Sequence, residues 1–99
     1  MTRPPLLSPG EIAARLESLP GWTRSGDALR CDLVFDDFAE AFGFMTRVAL
    51  AAEKMDHHPD WSNAWNRVSV SLSTHDAGGI TDLDFRLAAV MRRLMRKTE

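Results

Sequence analysis

All three histidines of this 99-residue chain, His57, His58 and His75, lie within one short part of the sequence. Histidine is the side chain whose ordinary pKa, about 6.5, allows it both to give and to take a proton near neutral pH. Acidic and aromatic residues accompany the three histidines: Glu53, Asp56, Asp60, Trp61, Trp65 and Asp84. This combination predicts an acid–base site with aromatic rings that can stack on a flat heterocycle.

Each histidine is expected at the end of a secondary-structure element, where reactive groups are usually held. His57 and His58 are predicted to close a helix, because Pro59 disfavours helical geometry in the residue before it. His75 is predicted in a loop that follows a strand. The C-terminal end of a helix stabilises an imidazolium by up to about 2 kcal/mol. The pattern therefore favours an acid at the helix end and a neutral base in the loop.

Other interpretations of these residues remain open on spacing alone. Adjacent histidines before a proline also occur as an ordinary polar helix terminus. A metal site is less favoured, because neighbouring residues on a helix point about 100° apart and His57 and His58 would not readily share one ion. Trp61 and Trp65, taken alone, are more typical of a core or an interface than of a substrate platform.

Capping signals and hydrophobic periodicity predict three helices and four strands. Candidate capping pairs open the helices: Ser8 with Glu11, Asp37 with Glu40, and Thr81 with Asp84. Period-two alternation predicts a hairpin between Trp22 and Phe35, and strands over Trp61–Trp65 and Arg67–Ser73. The order α-β-β-α-β-β-α predicts one α+β domain over residues 1–99. In this two-layer fold, a four-stranded antiparallel sheet is covered on one face by three helices.

Each predicted helix carries an apolar stripe, and the second helix carries two. The second helix has one stripe of Phe38, Ala41, Phe42, Met45 and Ala49, and another of Phe44, Val48 and Met55. The third helix is expected to turn Leu83, Leu87, Val90, Met91 and Leu94 inward. A helix that is apolar on two sides must bury two sides, and a small domain has little core to offer. A homodimer or homotetramer that covers the extra stripe is therefore predicted.

The composition of the chain limits which partners and which cellular compartment are expected. The formal net charge is −2, and the densest basic group consists of Arg92, Arg93, Arg96 and Lys97. That group suits the end of a helix, so no nucleic-acid partner is expected. The single cysteine, Cys31, excludes an intramolecular disulfide and is expected in the core. Without a signal-peptide pattern or an apolar run near the ~20 residues of a membrane helix, a cytoplasmic protein with no membrane partner is predicted.

The histidine region resembles the pterin-4a-carbinolamine dehydratase family, also called 4a-hydroxytetrahydrobiopterin dehydratases. The family pattern has a charged residue, three further positions and a His-His-Pro triplet, followed by an aromatic residue, another histidine and an aspartate. In this chain the slots hold Glu53, His57, His58, Pro59, Trp65, His75 and Asp84. Trp65 replaces the tyrosine that relatives often carry. The resemblance extends over nearly the whole chain, because the predicted element order also matches the family fold.

The resemblance implies that the histidines line a pterin pocket, with the substrate bound among Glu53, Asp56, Pro59, Trp61, Trp65 and Asp84. It implies dehydration of 4a-hydroxytetrahydropterin to quinonoid dihydropterin, in the recycling of tetrahydrobiopterin after aromatic amino-acid hydroxylation. His58 and His75 are expected to carry protons, His57 to bind and orient the substrate, and Asp84 to orient His75. No metal or other cofactor is implied. The alternative is a non-catalytic dimerisation or transcriptional coactivator module that binds a protein partner through its helices.

Overall fold

Three helices and four strands make up most of residues 4–95, the part of the chain that this computed structural model describes. In chain order they are α1 (Pro9–Leu16), β1 (Thr23–Ser25), β2 (Ala28–Val34), α2 (Phe38–Met55), β3 (Asp60–Ala64), β4 (Arg67–Leu72) and α3 (Asp82–Met95). A short 3-10 helix, His75–Ala77, lies between β4 and α3. The predicted order and the α+β class are confirmed.

The sheet has the strand order β1-β2-β4-β3, and all of its pairings are antiparallel. Alternation along β2 and β4 buries one set of side chains, which comprises Leu29, Cys31, Val68, Val70 and Leu72. Their neighbours in the sequence point away from this layer, as the period of two requires. The central pair β2–β4 therefore forms the floor of the core on which the helices pack.

The predicted capping interactions hold α1 and, in part, α2. The backbone N–H of Ser8 donates to Glu11 Oε1 at 3.0 Å, and the Glu11 N–H donates to Ser8 Oγ at 3.1 Å. Hydrogen bonds from the backbone and the side chain of Ser8 lower the pKa of Glu11. In α2, Asp37 accepts from the Glu40 N–H, but Glu40 accepts from Asp36 instead of Asp37.

The prediction that His57 and His58 close α2 is wrong, because this helix ends earlier, at Met55. Asp56 adopts the left-handed conformation (φ 54°), and its N–H bonds to Ala52 O and Glu53 O. The His57 N–H also returns to Ala52 O, at 3.0 Å. This is the hydrogen-bond pattern of a Schellman ending, in which one left-handed residue stops a helix without a proline. Both histidines consequently lie beyond the helix, on the short segment that leads into β3.

The buried faces of α2 and α3 differ from the predicted stripes in detail. In α2 the buried residues are Ala41, Phe44, Val48 and Ala52, whereas Phe38 and Phe42 are exposed. In α3 they are Asp84, Phe85, Leu87, Ala88 and Met91, while Leu83, Val90 and Leu94 are only half-buried. Relative to the predicted stripe, the inner face of α3 is therefore rotated toward Asp84. A pattern of hydrophobic residues could not predict this, because Asp84 is charged. Among the described residues, no helix is long and apolar enough to span a membrane.

Candidate active site

A cleft of about 930 Å³ lies where the segment after α2, the start of β3 and the 3-10 helix come together. His57 and His58 enter it from the first of these elements, and His75 enters it from the last. Its volume falls within the range of about 300–1,000 Å³ that small-molecule sites usually occupy. The antiparallel β3–β4 pair produces this arrangement, because it returns the end of β4 to the beginning of β3.

His57 is held by a buried carboxylate. Its Nε2 atom lies 2.6 Å from Asp84 Oδ1, and the two side chains are 8% and 0% exposed. A hydrogen bond between these groups is strengthened by the low dielectric of the interior and orients the ring. The pair joins the segment after α2 to the first turn of α3.

A chain of hydroxyl groups holds the other oxygen of Asp84. Thr74 Oγ1 donates to Asp84 Oδ2 at 2.9 Å, and the Thr81 N–H donates to the same oxygen at 2.8 Å. Because Thr74 uses its only hydroxyl proton on Asp84, its oxygen must accept from Thr81 Oγ1, which lies 2.7 Å away. Thr81 Oγ1 in turn accepts from the Leu83 N–H at 3.2 Å. Each hydrogen bond in this chain is therefore donated toward the Asp84 carboxylate, from Leu83 to Thr81, from Thr81 to Thr74 and from Thr74 to Asp84.

His58 and His75 have carboxylate partners at the surface. His58 Nε2 lies 2.9 Å from Glu53 Oε1, and His75 Nε2 lies 3.2 Å from Asp60 Oδ2. The two imidazoles are 56% and 73% exposed, so these pairs are screened by water and contribute at most about 1 kcal/mol to stability. Their rings are open to solvent, whereas the ring of His57 is held inside.

The three imidazoles share one feature, which is that Nε2 faces a carboxylate. A neutral ring that donates through Nε2–H presents Nδ1 as an acceptor. No described side chain buries an unpaired nitrogen or oxygen atom. His57 lines the cleft, and the only hydrogen bond of its side chain within residues 4–95 is the one from Nε2, so its Nδ1 atom is left for a ligand. The arrangement can therefore accept and donate protons at Nδ1 of each ring.

The other predicted site residues fall in three places. Asp56 and Pro59 line the cleft beside the histidines. Glu53 stands behind His58, and Asp84 lies beneath the cleft against His57. Trp61, which was predicted to bind the substrate, is not among the residues that line the cleft, because it is half-buried and packs against the hydrophobic core from β3.

Two further expectations about placement disagree with the structure. Trp65 lies in the turn after β3 and is 66% exposed. With about 3.3 Å per strand residue, that turn is roughly 16 Å from Asp60, so Trp65 is at the opposite end of the sheet from the cleft. Asp84 was expected to orient His75, but it contacts His57, and Asp60 occupies the place beside His75.

Several residues of the cleft were missed by the sequence analysis. Asp82, Leu83 and Arg86 line it from the first turns of α3, and Ser73 and Thr74 line it from the end of β4. The spacing of Asp82 and Arg86, one helical turn apart, places them on one face, but only the fold reveals which element that face meets. Among residues 4–95, no three His, Cys, Asp or Glu side chains are arranged to share a metal ion.

Comparison with known proteins gives consistent matches. The family model described as pterin 4 alpha carbinolamine dehydratase matches residues 5–94. Curated relatives that carry the name of this dehydratase include a protein of Burkholderia vietnamiensis, 52% identical over 93% of this chain and 92% of its own length. Another, from Bradyrhizobium diazoefficiens, is 58% identical over 84% of this chain and 85% of its own.

A solved structure agrees at the level of the fold. The crystal structure of a transcriptional coactivator/pterin dehydratase from Brucella melitensis superposes with a TM-score of 0.89 at 43% sequence identity. The match covers 91% of this chain and 98% of the Brucella chain. The fold and the sequence therefore point to the same family.

Proposed function

The chain belongs to the pterin 4 alpha carbinolamine dehydratase family, and we propose that it removes water from a 4a-hydroxytetrahydropterin to give a quinonoid dihydropterin. The observation that supports this most directly is the convergence of three imidazoles on one cleft, each with its Nε2 atom against a carboxylate. Such a site supplies proton donors and acceptors on more than one side of a bound ring.

The reaction requires two proton transfers. A proton is delivered to the 4a-hydroxyl group, the bond from C4a to that oxygen breaks, and water leaves. The proton on N5 is withdrawn, and its electron pair forms the double bond between N5 and C4a. General acid–base catalysis of this kind typically contributes about 10²–10⁴-fold to a rate.

His58 and His75 are the proton carriers in this proposal. Every turnover must return a donor and an acceptor to their starting protonation states, and exchange with water does this most readily for exposed groups. The side chains of His58 and His75 are 56% and 73% exposed, and they enter the cleft from different elements. Their positions suit one ring to serve as the acid and the other as the base.

His57 is the orienting residue. Its ring is fixed by Asp84 at 2.6 Å and lines the cleft, which leaves Nδ1 for the substrate. A ring that is held rigidly and protected from water is suited to binding a polar edge of the pterin in one position, which aligns the reacting atoms. Asp56 and Pro59 line the same cleft and complete the predicted binding surface, with Glu53 and Asp84 acting through the histidines.

Physiologically, the product would re-enter the recycling of tetrahydrobiopterin after aromatic amino-acid hydroxylation. The fold also supports self-association as a homodimer or homotetramer. Exposed apolar side chains occur at the end of the sheet remote from the cleft and on α2, namely Val34, Phe38, Phe42 and Trp65. The rings of Phe38 and Phe42 are 5.7 Å apart. A second copy that covers these residues would give Trp65 and the outer stripe of α2 a buried environment.

The same exposed face favours a second candidate function, a dimerisation or transcriptional coactivator module that binds a protein partner. The solved Brucella relative carries both descriptions. The two functions require different residues, because protein binding through α2 does not need the histidines of the cleft.

Turnover of chemically generated 4a-hydroxytetrahydropterin by the purified protein distinguishes the two functions. We expect dehydration to be accelerated by the natural chain and not by the triple variant His57→Ala, His58→Ala, His75→Ala. Circular dichroism must show that the triple variant remains folded. A natural chain that does not accelerate dehydration above the uncatalysed rate would reject the enzymatic proposal and leave the binding module. Equal acceleration by the two folded proteins would reject catalysis by the histidines.

A further inference from the structure

A second concave region, of about 710 Å³, lies between α1 and α3 and shares no lining residue with the histidine cleft. Its ionisable lining residues are all arginines: Arg15, Arg92 and Arg93. Leu19, Phe85 and Ala89 provide its apolar surface. We call this region the arginine groove. Three cations around one groove are notable in a chain whose formal net charge is −2.

Two of the three guanidinium groups are held in place by the fold. Arg15 Nη1 donates to Asp82 Oδ1 at 2.6 Å, and its Cζ atom lies 5.5 Å from the centre of the Phe85 ring. Arg92 Nη1 donates to the backbone oxygen of Ser18 at 2.6 Å. These contacts join the two sides of the groove, since Arg15 belongs to α1 and bonds to Asp82 of α3, whereas Arg92 belongs to α3 and bonds to Ser18, which follows α1.

Among the residues that the structure describes, most of the hydrogen-bonding capacity of these arginines is unused. A guanidinium carries five N–H donors, and the contacts described for Arg15 and Arg92 occupy one nitrogen in each. Arg93 has no hydrogen bond or ion pair within residues 4–95. Arg15 lies in the last turn of α1, and Arg92 and Arg93 lie in the last turn of α3, so two helix ends bring three cations to one groove.

We propose that the arginine groove binds a small phosphate ester, with the phosphate held by the guanidinium groups and the organic body lying over the apolar floor. Guanidinium forks pair with phosphate oxygens in a bidentate manner, and a phosphate presents enough oxygens for several forks at once. Leu19, Phe85 and Ala89 would receive the uncharged part of the ligand. The residues that line this groove differ from those that line the histidine cleft, and the two regions meet only at the bond between Arg15 and Asp82 among the residues described.

Isothermal titration calorimetry with the full chain tests this site, with adenosine monophosphate as the probe and adenosine and inorganic phosphate as comparison ligands. We expect adenosine monophosphate to bind more tightly than either comparison ligand, and its affinity to fall as salt is added. Loss of one charged hydrogen-bonding group should weaken binding by about tenfold or more. Arg93→Gln and Arg92→Gln are the informative variants, and Arg47→Gln, exposed on α2, removes the same charge elsewhere.

The proposal is overturned if adenosine monophosphate does not bind, or if Arg93→Gln and Arg47→Gln weaken it equally. It is also overturned if adenosine binds as tightly as the nucleotide, because the phosphate then contributes nothing. Inorganic phosphate that binds as tightly as the nucleotide would reject a role for the apolar floor. If an oligonucleotide binds in a way that depends on Arg93 and the mononucleotide does not bind, the small ester is rejected as the ligand in favour of a nucleic acid.

Discussion

His57 and Asp84 are 27 residues apart in the sequence, yet the fold brings the Nε2 atom of one to within 2.6 Å of the carboxylate of the other in a buried environment. Asp84 is in turn held by Thr74 and Thr81. One wall of the cleft is therefore fixed by a polar network in which each buried group has a hydrogen-bond partner. The two histidines at the rim of the cleft are instead exposed to water.

Asp84→Asn should disrupt this wall. Both oxygens of Asp84 accept hydrogen bonds, and an amide has to present an NH₂ group to one set of donors. We expect KM for the substrate to rise by about tenfold, because Asp84 acts through the substrate-orienting ring of His57, and the free energy of unfolding to fall by about 1–3 kcal/mol. Steady-state assays and urea titrations measure the two effects. Asp32→Asn, which neutralises an exposed carboxylate on β2, serves as the control, and equal effects of the two variants would contradict the role of the network.

Thr81 tests the hydroxyl chain separately from the charge. Thr81→Val keeps the shape of the side chain but leaves Thr74 without a donor and the Leu83 N–H without an acceptor. The expected loss in the free energy of unfolding is about 1–3 kcal/mol. Thr81→Ser preserves the hydroxyl and should cost only the packing of one methyl group, about 1 kcal/mol. If serine were as destabilising as valine, packing and not hydrogen bonding would explain the contribution of Thr81 to the free energy of unfolding.

The sequence predicted the architecture well because the relevant signals are local. The Ser8–Glu11 capping box and the alternation around Cys31 and Val70 depend on neighbours only a few residues away. The partner of Asp84 was not predictable in the same way, because that contact depends on how β4 and α3 pack. The position of Trp65 was wrong for a related reason, since spacing along the chain does not state at which end of the sheet a turn lies.

Cys31 provides a pH-dependent prediction. Burial raises the pKa of the Cys31 thiol, and the charge of Asp32 raises it further. A raised pKa in the folded state means that the contribution to stability is complete below the pKa of the unfolded thiol and is lost as the pH rises through the higher value. The free energy of unfolding should therefore decrease at alkaline pH. Urea titrations across this range should show a smaller alkaline loss for Cys31→Ala, and identical pH profiles would refute the assignment.

Phe42 tests the proposed association between copies. Phe42→Glu places a charge on the exposed apolar stripe of α2, where burial against another copy would be costly. Sedimentation velocity should show the natural chain as a dimer or tetramer and the variant shifted to smaller species. Arg47→Glu lies about 140° away around the helix and should leave the assembly unchanged. A natural chain that is monomeric at high concentration would exclude the homo-oligomer.

The most direct test of the catalytic account is the rate of 4a-hydroxytetrahydropterin dehydration by the His75→Ala variant. The His75 side chain is 73% exposed and has one hydrogen bond within residues 4–95, to Asp60, so its replacement should leave the fold intact. We expect kcat to fall by about 10²-fold or more with little change in KM, whereas His57→Ala should mainly raise KM. A folded His75→Ala protein that dehydrates the substrate at the full rate would contradict proton transfer by this residue.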